Sequence, residues 1–191
     1  MSIIKVSKFD GVFGMLPDRF SDKRGYFFES FNLKKFSNII GNFNFIQENE
    51  SMSKFRVLRG LHFQKPPYTQ AKLIRVLDGT VLDIFVDIRT DSETFGKHDV
   101  LVLRDVDDIQ LFIPRGFAHG FVALTENVKF QYKVDNEYSS EHDSGIVYND
   151  SELNIDWEVF NPIISDKDLE LDKFQDVQFY SSNEYFANPK G

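Results

Sequence analysis

Short alternating runs of apolar and polar residues fill most of this chain, and this pattern predicts β-strands that bury one face. Residues 81–88 read VLDIFVDI, so the even-numbered positions are aliphatic while Asp83 and Asp87 lie on the other face. Many such strands, with few helical stretches, indicate an all-β jelly roll or sandwich.

The connections between these strands are short. Asp78 and Gly79 separate a strand at residues 72–77 from the one at 81–88, and this dipeptide is a strong hairpin signal. Residues 100–103 and 110–113, joined by an acidic turn, are expected to form another strand pair. Strands at residues 121–124 and 128–134 follow.

Two segments are candidates for helix. Leu33, Phe36 and Ile40 form an apolar stripe after Asn32, and Gly41 is a typical helix stop. Residues 166–174 are acidic and are expected to form a loop or a short helical turn. Any helices should therefore be short and peripheral.

Composition limits the class of protein. The chain has 191 residues with no linker-like or repetitive segment, so we expect one domain over residues 1–191. It contains no cysteine and shows neither a signal-peptide pattern nor an apolar stretch of membrane-spanning length, which favours the cytoplasm. A net charge of −8 argues against general nucleic-acid binding. The 21 phenylalanines suit a wide core between sheets.

Two segments carry the candidate chemistry: RGLHFQ at residues 59–64 and PRGFAHG at 114–120. The second is the kind of turn that carries a histidine into a jelly-roll barrel. The first places Gln64 two residues after His62, where a metal-binding jelly roll would have a second histidine. Because Arg59 and Lys72 add positive charge, this set of residues suits an anion or an enolate better than a divalent cation.

The pleat of the strands predicts which side chains share a face. A straight strand would place Arg59 and His62 on opposite sides, but Gly60 could mark a bulge that brings both to one pocket. Tyr132 shares its face with Phe130 and is either an ordinary core tyrosine or a proton donor facing a cavity. His62 is either a buried neutral imidazole or a base.

Other candidates stay open on pattern alone. His119 either braces its glycine-flanked turn or contacts a ligand. Asp83, Asp87 and Asp168 could each orient His62 as an acid partner, and spacing does not choose among them. The sequence shows no cysteine nucleophile, no nucleophile elbow, no phosphate-binding glycine loop and no dinucleotide fingerprint. Proton transfer on a bound anionic substrate is the remaining interpretation.

From about Ile4 to about Leu171 the chain resembles the dTDP-4-dehydrorhamnose 3,5-epimerase family. The resemblance rests on ordered matches at DKRGYFFESF (22–31), FIQEN (45–49), VLRGLHFQ (57–64), AKLIRV (71–76), DIR (87–89), FG (95–96), IPRGFAHGF (113–121), FQYK (130–133), YND (148–150), DW (156–157) and SDKD (165–168). It implies a cupin-like double-stranded β-helix, or jelly roll, that acts as a homodimer with shared active sites and needs no metal or other cofactor. The implied substrate is a dTDP-sugar.

The resemblance also implies roles for individual residues. His62 corresponds to the general base with Asp168 as its partner, Tyr132 to the proton donor, and Lys72 to the group beside the C4 carbonyl oxygen. Substrate contacts are implied for Arg59 and His119 at the diphosphate and sugar, for Arg24, Glu29, Gln47 and Asn49 at the nucleotide and partly across a dimer interface, and for Tyr138, Asp143 and Lys167.

The implied reaction inverts C3 and C5 of dTDP-4-keto-6-deoxyglucose. A single-site epimerase or a ketoisomerase acting on a related nucleotide sugar is the alternative within this chemistry. A jelly roll that only binds its ligand would not need His62, Tyr132 and Asp168 together. A metal-dependent cupin enzyme is the weakest rival, because the first motif lacks the ligands.

Overall fold

The computed structural model describes residues 1–41 and 43–187, most of which form antiparallel strands. In these residues the strands are β1 (Ser2–Ile4), β2 (Phe13–Leu16), β3 (Phe20–Asp22), β4 (Gly25–Phe27), β5 (Gln47–Lys54), β6 (Leu58–Gln64), β7 (Lys72–Asp78), β8 (Thr80–Asp87), β9 (His98–Arg104), β10 (Gln110–Ile113), β11 (Phe117–Ala123), β12 (Asn127–Val134) and β13 (Asp143–Gly145). The helices are α1 (Leu33–Ile40), α2 (Asp166–Leu169) and α3 (Ser182–Phe186), with 3-10 turns at Asp105–Asp107 and Phe174–Asp176.

Two large sheets face each other. One has six strands in the order β1-β2-β10-β7-β12-β5, and the other has five in the order β13-β6-β11-β8-β9. Strands β3 and β4 form a separate two-stranded hairpin. This is the all-β jelly roll with short peripheral helices that the sequence predicts, and the fold class is confirmed.

The predicted strand pairings are wrong. β7 lies in the six-stranded sheet and β8 in the five-stranded sheet, so the turn at Asp78 and Gly79 passes from one sheet to the other instead of closing a hairpin. Likewise, β9 lies in the five-stranded sheet and β10 in the six-stranded sheet, so these two strands do not pair. A turn signal reports that the chain reverses, whereas burial decides which strands pair. β8 is buried along almost its whole length and therefore lies between β11 and β9.

The central strands β8 and β11 of the five-stranded sheet are buried on both faces. Phe85 and Phe121 point between the sheets, where they pack with Phe130 of the opposite sheet. The aliphatic face of β8 instead packs outward against the C-terminal segment, including Trp157 and Phe174. The strand that the sequence predicts as half-buried therefore has no solvent-facing side, and Asp83 and Asp87 are fully buried.

The helices cover sheet faces. α1 is confirmed: Asn32 Oδ1 accepts a hydrogen bond from the Lys35 backbone N–H at 3.2 Å, and Gly41 ends the helix with φ +83°. Its Phe36 packs on the outer face of the six-stranded sheet. The segment at residues 166–174 contains the short helix α2, while α3 is not predicted from the sequence. No helix among the described residues combines the length and the apolar character needed to cross a membrane.

Candidate active site

A cavity of about 380 Å³ lies between the two sheets and brings most of the candidate residues together. The five-stranded sheet contributes side chains from β6 and β11, and the six-stranded sheet contributes them from β5, β7 and β12. Of the predicted site residues, the cavity is lined by His62, Lys72, Tyr132, Asp168, Arg59, His119, Tyr138, Asp143 and Lys167.

His62 forms a close pair with Asp168. His62 Nε2 lies 2.8 Å from Asp168 Oδ1, and the histidine side chain is 34% exposed while that of the aspartate is 6% exposed. Burial acts to raise the pKa of Asp168, but hydrogen bonds from His62, the Gly60 backbone N–H and Ser165 outweigh it and hold that pKa below its usual value. The carboxylate therefore stays ionised and fixes the imidazole with Nε2 as donor.

Asp168 is thus the acid partner of His62, which the sequence pattern alone does not identify. The other two acids have partners of their own. Asp83 Oδ2 lies 2.9 Å from His119 Nε2, and Asp87 accepts hydrogen bonds from Arg89 at 2.8 and 2.6 Å.

A bulge in β6 places Arg59 and His62 in the same cavity. His62 pairs with His119 and Arg59 with Phe121, so β6 has one more residue than β11 in this interval. Gly60 lies there with φ +124°, and a Cβ at this position would come within 2.5 Å of the Gly120 Cα. Only glycine fits this approach, and the predicted bulge is confirmed.

Lys72 begins β7 and points into the cavity, where its Nζ donates to the His62 backbone carbonyl at 3.3 Å. Desolvation lowers the pKa of Lys72 to about 8, against the opposing effect of the Asp83 and Asp143 carboxylates. Both charge states are therefore accessible near neutral pH, with the ammonium predominating at pH 7.

Tyr132 reaches the cavity from the sheet opposite His62. Desolvation and the nearby Asp143 carboxylate raise the pKa of Tyr132, although Arg59 and a hydrogen bond with Asn49 act in the opposite direction. Its phenol is therefore protonated at neutral pH, as a proton donor requires. Tyr132 does line a cavity, and it also packs against Phe130, so both sequence-based interpretations describe part of its setting.

His119 lies beside His62 on the neighbouring strand. Its side chain is only 7% exposed, and burial lowers its pKa even though the Asp83 carboxylate acts to raise it. The imidazole is therefore neutral, with Nε2 as donor to Asp83. Its ring also lies roughly parallel to that of Phe130, 6.1 Å away.

Asp143 joins three side chains of the cavity. Its Oδ1 accepts from Gln64 Nε2 at 2.9 Å, while its Oδ2 accepts from Lys167 Nζ at 2.5 Å and from the Tyr138 hydroxyl at 3.3 Å. The hydrogen bond to Asp143 raises the pKa of Lys167, so this lysine is a stable cation. Arg59 supplies local positive charge in a chain that is acidic overall, whereas the Asp143 carboxylate offsets the charge of Lys167.

Four predicted contacts do not line this cavity. Arg24 lies on the β3–β4 hairpin with its guanidinium paired to Asp22, and Glu29 pairs with Lys35. Gln47 and Asn49 lie on β5, the last strand of the six-stranded sheet, and they are hydrogen-bonded to each other. In one copy of the chain none of the four lines the cavity, although Asn49 also hydrogen-bonds Tyr132, which does.

The sequence interpretation missed several lining residues. The cavity is also bounded by Ser51, Phe63, Gln64, Gln70, Phe121, Phe130 and Ser165. Ser165 carries a recognisable signal, because it precedes the acidic turn of α2 as an N-cap serine. Ser51 carries none, since its position depends on its register with Phe130. Among residues 1–41 and 43–187, no three His, Asp or Glu side chains group as metal ligands.

Comparison with known proteins gives consistent results. The profile of the dTDP-4-dehydrorhamnose 3,5-epimerase family matches residues 6–176. The enzyme of that name from Shigella flexneri is 45% identical over 181 residues, which cover 94% of this chain and 99% of the relative.

Solved structures agree. The dTDP-4-dehydrorhamnose 3,5-epimerase of Elizabethkingia anophelis superposes with a TM-score of 0.88 at 43% identity, covering 94% of this chain and 99% of that one. The dTDP-6-deoxy-D-glucose-3,5-epimerase of Legionella pneumophila, in complex with dTDP-4-keto-L-rhamnose, gives 0.89 at 37% identity, covering 94% and 97%. The chain therefore belongs to the dTDP-4-dehydrorhamnose 3,5-epimerase family.

Proposed function

We propose that this protein epimerises C3 and C5 of dTDP-4-keto-6-deoxyglucose to give dTDP-4-keto-L-rhamnose. The observation that carries the proposal is the position of His62 and Tyr132 on opposite walls of one cavity, each with the environment that its role needs. The Legionella pneumophila relative, bound to the expected product, supports the choice of substrate.

In this mechanism His62 removes the proton. The C4 ketone acidifies the hydrogens on C3 and C5, because the electron pair left behind delocalises onto the carbonyl oxygen. With Nε2–H donated to Asp168, Nδ1 of His62 carries the lone pair that accepts the proton. The Asp168 carboxylate then stabilises the imidazolium that forms.

Lys72 stabilises the enolate. Negative charge develops on the C4 oxygen only as the C–H bond breaks, so a fixed ammonium beside it favours the transition state over the ground state. The partial desolvation that lowers the pKa of Lys72 to about 8 also strengthens its interaction with that oxygen.

Tyr132 completes the inversion. Its hydroxyl gives a proton to the carbon from the face opposite His62, the enolate collapses to the ketone, and the configuration at that carbon is inverted. The tyrosinate and the imidazolium then return to their starting states by exchange with solvent. The same cycle at the second carbon gives the doubly inverted sugar.

The diphosphate needs positive charge. Arg59 supplies it within the cavity, Lys167 adds a charge that Asp143 partly offsets, and the neutral His119 contributes a polar contact to the sugar or phosphate. Tyr138 and Asp143 complete the substrate-contacting set.

We also propose a homodimer. Arg24, Glu29, Gln47 and Asn49 lie outside the cavity of their own chain, and β5 at the sheet edge presents a row of backbone groups for further contacts. In a dimer some of these residues would reach the nucleotide bound by the partner. We further propose that residues 1–191 act as one domain and that the protein works in the cytoplasm, as a chain without cysteine favours.

The test is incubation with dTDP-4-keto-6-deoxyglucose in deuterated water, followed by NMR of the sugar. Deuterium at both C3 and C5, with inversion, supports the double epimerase. Deuterium at one position indicates a single-site epimerase, and a displaced carbonyl indicates a ketoisomerase. Unchanged sugar with no deuterium would contradict the proposal.

A further inference from the structure

Ser165 occupies the N-cap of the short helix that carries Asp168. Its backbone is extended, at φ −71° and ψ 152°, and its Oγ accepts a hydrogen bond from the Asp168 backbone N–H at 3.2 Å. That N–H also lies 3.0 Å from the Ser165 carbonyl oxygen. The serine side chain lines the same cavity as His62.

Besides this cap, α2 is held by the ion pair of Lys167 with Asp143 and by the contacts of the Asp168 carboxylate. α2 is four residues long, which is too short to be stable by itself, and Asp168 is its one buried residue. The two carboxylate oxygens of Asp168 are engaged by His62 and by the Gly60 backbone N–H, which lies 3.2 Å from Oδ2, and the Ser165 side chain also helps to lower the pKa of this carboxyl. The Ser165 cap is therefore the side-chain contact that holds the Asp168 backbone N–H, beside the bond of that N–H to the Ser165 carbonyl.

We propose that Ser165 is a positioning residue: its cap holds Asp168 at the distance and angle that orient His62 for proton abstraction. The inference deepens the proposed function and rests on it. Ser165 would act through Asp168 and would not touch the substrate. Its loss should therefore affect the chemical step more than substrate binding.

Ser165→Ala removes the hydroxyl and should lower kcat about tenfold, an effect of the size expected for a lost helix cap, while KM stays within about twofold. Ser165→Thr keeps an oxygen that can cap the helix and should restore most of kcat. The matched control is Ser181→Ala in α3. Ser181 is the N-cap residue of α3, its hydroxyl donates to Glu184 Oε2 at 2.7 Å within a capping box, and it lies outside the cavity. Ser181→Ala should reduce thermal stability without changing kcat.

A double-mutant cycle tests the path through Asp168. If Ser165 acts by holding Asp168, then adding Ser165→Ala to Asp168→Asn should cause little further loss of kcat. Full additivity of the two losses would overturn the proposal. So would a several-fold rise in KM with kcat intact, which would make Ser165 a substrate contact, or a kcat for Ser165→Ala no lower than that of Ser181→Ala.

One measurement needs no substrate and separates this inference from the proposed function. The proton between His62 Nε2 and Asp168 Oδ1 can be followed by proton NMR, because a carboxylate-bound imidazole N–H is shifted downfield and exchanges slowly. In Ser165→Ala that signal should broaden or be lost, while Ser181→Ala should retain it. An unchanged signal in Ser165→Ala overturns the positioning role even if the wild-type protein proves inactive on the tested sugar.

Discussion

Two histidine–aspartate pairs lie side by side in this protein, and they differ in burial rather than in geometry. His62 and His119 are register partners on β6 and β11, and their Nε2 atoms lie 2.8 and 2.9 Å from the carboxylates of Asp168 and Asp83. The His62 side chain is 34% exposed, toward the cavity, whereas that of His119 is 7% exposed.

This difference in burial separates their chemistry. A base must accept a proton and be able to exchange it with solvent, so it needs both a carboxylate to stabilise the imidazolium and an open side. The His62 pair has both. In the His119 pair, burial disfavours the imidazolium and lowers the pKa of His119. In the proposed mechanism the same two residue types therefore give a base at His62 and a fixed neutral contact at His119.

Replacing each histidine should give the largest contrast. We expect His62→Ala to lower kcat at least about a hundredfold, in line with the usual contribution of a general base. His119→Ala should act mainly through KM, because it removes a contact and leaves the base intact. The measurement is the rate of epimerisation by NMR at saturating substrate. His98→Ala, on the outer strand β9, is the control and should retain wild-type rates. Near-normal turnover in His62→Ala would rule out its role as the base.

Tyr132→Phe tests the proton donor on the opposite wall. We expect the rate of inversion to fall at least about a hundredfold, because the phenyl ring has no proton to give. His62 and its partner are unaffected, so a proton removed by His62 can be replaced by a solvent deuteron on the same face. Deuterium wash-in should therefore fall less than inversion does. Equal loss of wash-in and inversion would contradict a division of labour between the two walls.

Asp83 should affect the reaction through Lys72. In the proposed mechanism the ammonium is the form that stabilises the enolate, so kcat/KM should decline as the pH rises through the Lys72 pKa of about 8. Asp83 and Asp143 both act to raise that pKa, so Asp83→Asn should lower it and move the decline to lower pH. Lys72→Arg, which does not titrate in this range, should remove the decline. The pH profile of kcat/KM measures all three. A decline that stays in place in Asp83→Asn would show that another group controls it.

Local pattern predicted what single strands contain but not which strands pair. The alternation at residues 81–88 correctly separates the aliphatic face from Asp83 and Asp87, and the helix at Leu33–Ile40 ends where its capping residues indicate. The dipeptide Asp78–Gly79 wrongly predicts a hairpin, because in a jelly roll such a turn can carry the chain between opposing sheets. Which strands pair depends on how both faces of each strand are buried in the fold. The residue pattern of a single strand does not contain this information.

For the site, too, the sequence predicts some features and not others. His62, His119 and Tyr132 were identifiable as candidates from motif and pleat, and the Gly60 bulge that brings Arg59 beside His62 was predicted from one glycine. The choice of Asp168 over Asp83 required family resemblance or structure, because more than a hundred residues of chain separate Asp168 from His62. The burial that separates the two histidines is set by packing across both sheets, which sequence spacing does not encode.

The smallest expected effect is on stability, and it tests the neutral state of His119. The pKa of His119 in the folded protein is lowered from a usual value of 6.5. Below that pH the unfolded chain binds a proton at this position and the folded protein does not, so the free energy of unfolding should fall as the pH drops below 6.5. His119→Gln keeps a donor for Asp83 but does not titrate, so its stability should depend less steeply on pH in this window. The lowered pKa of Asp168 acts at lower pH, below 3.8, and does not interfere. Urea unfolding between pH 7 and 5 measures the slope, and equal slopes for the two proteins would mean that His119 is not held neutral by burial.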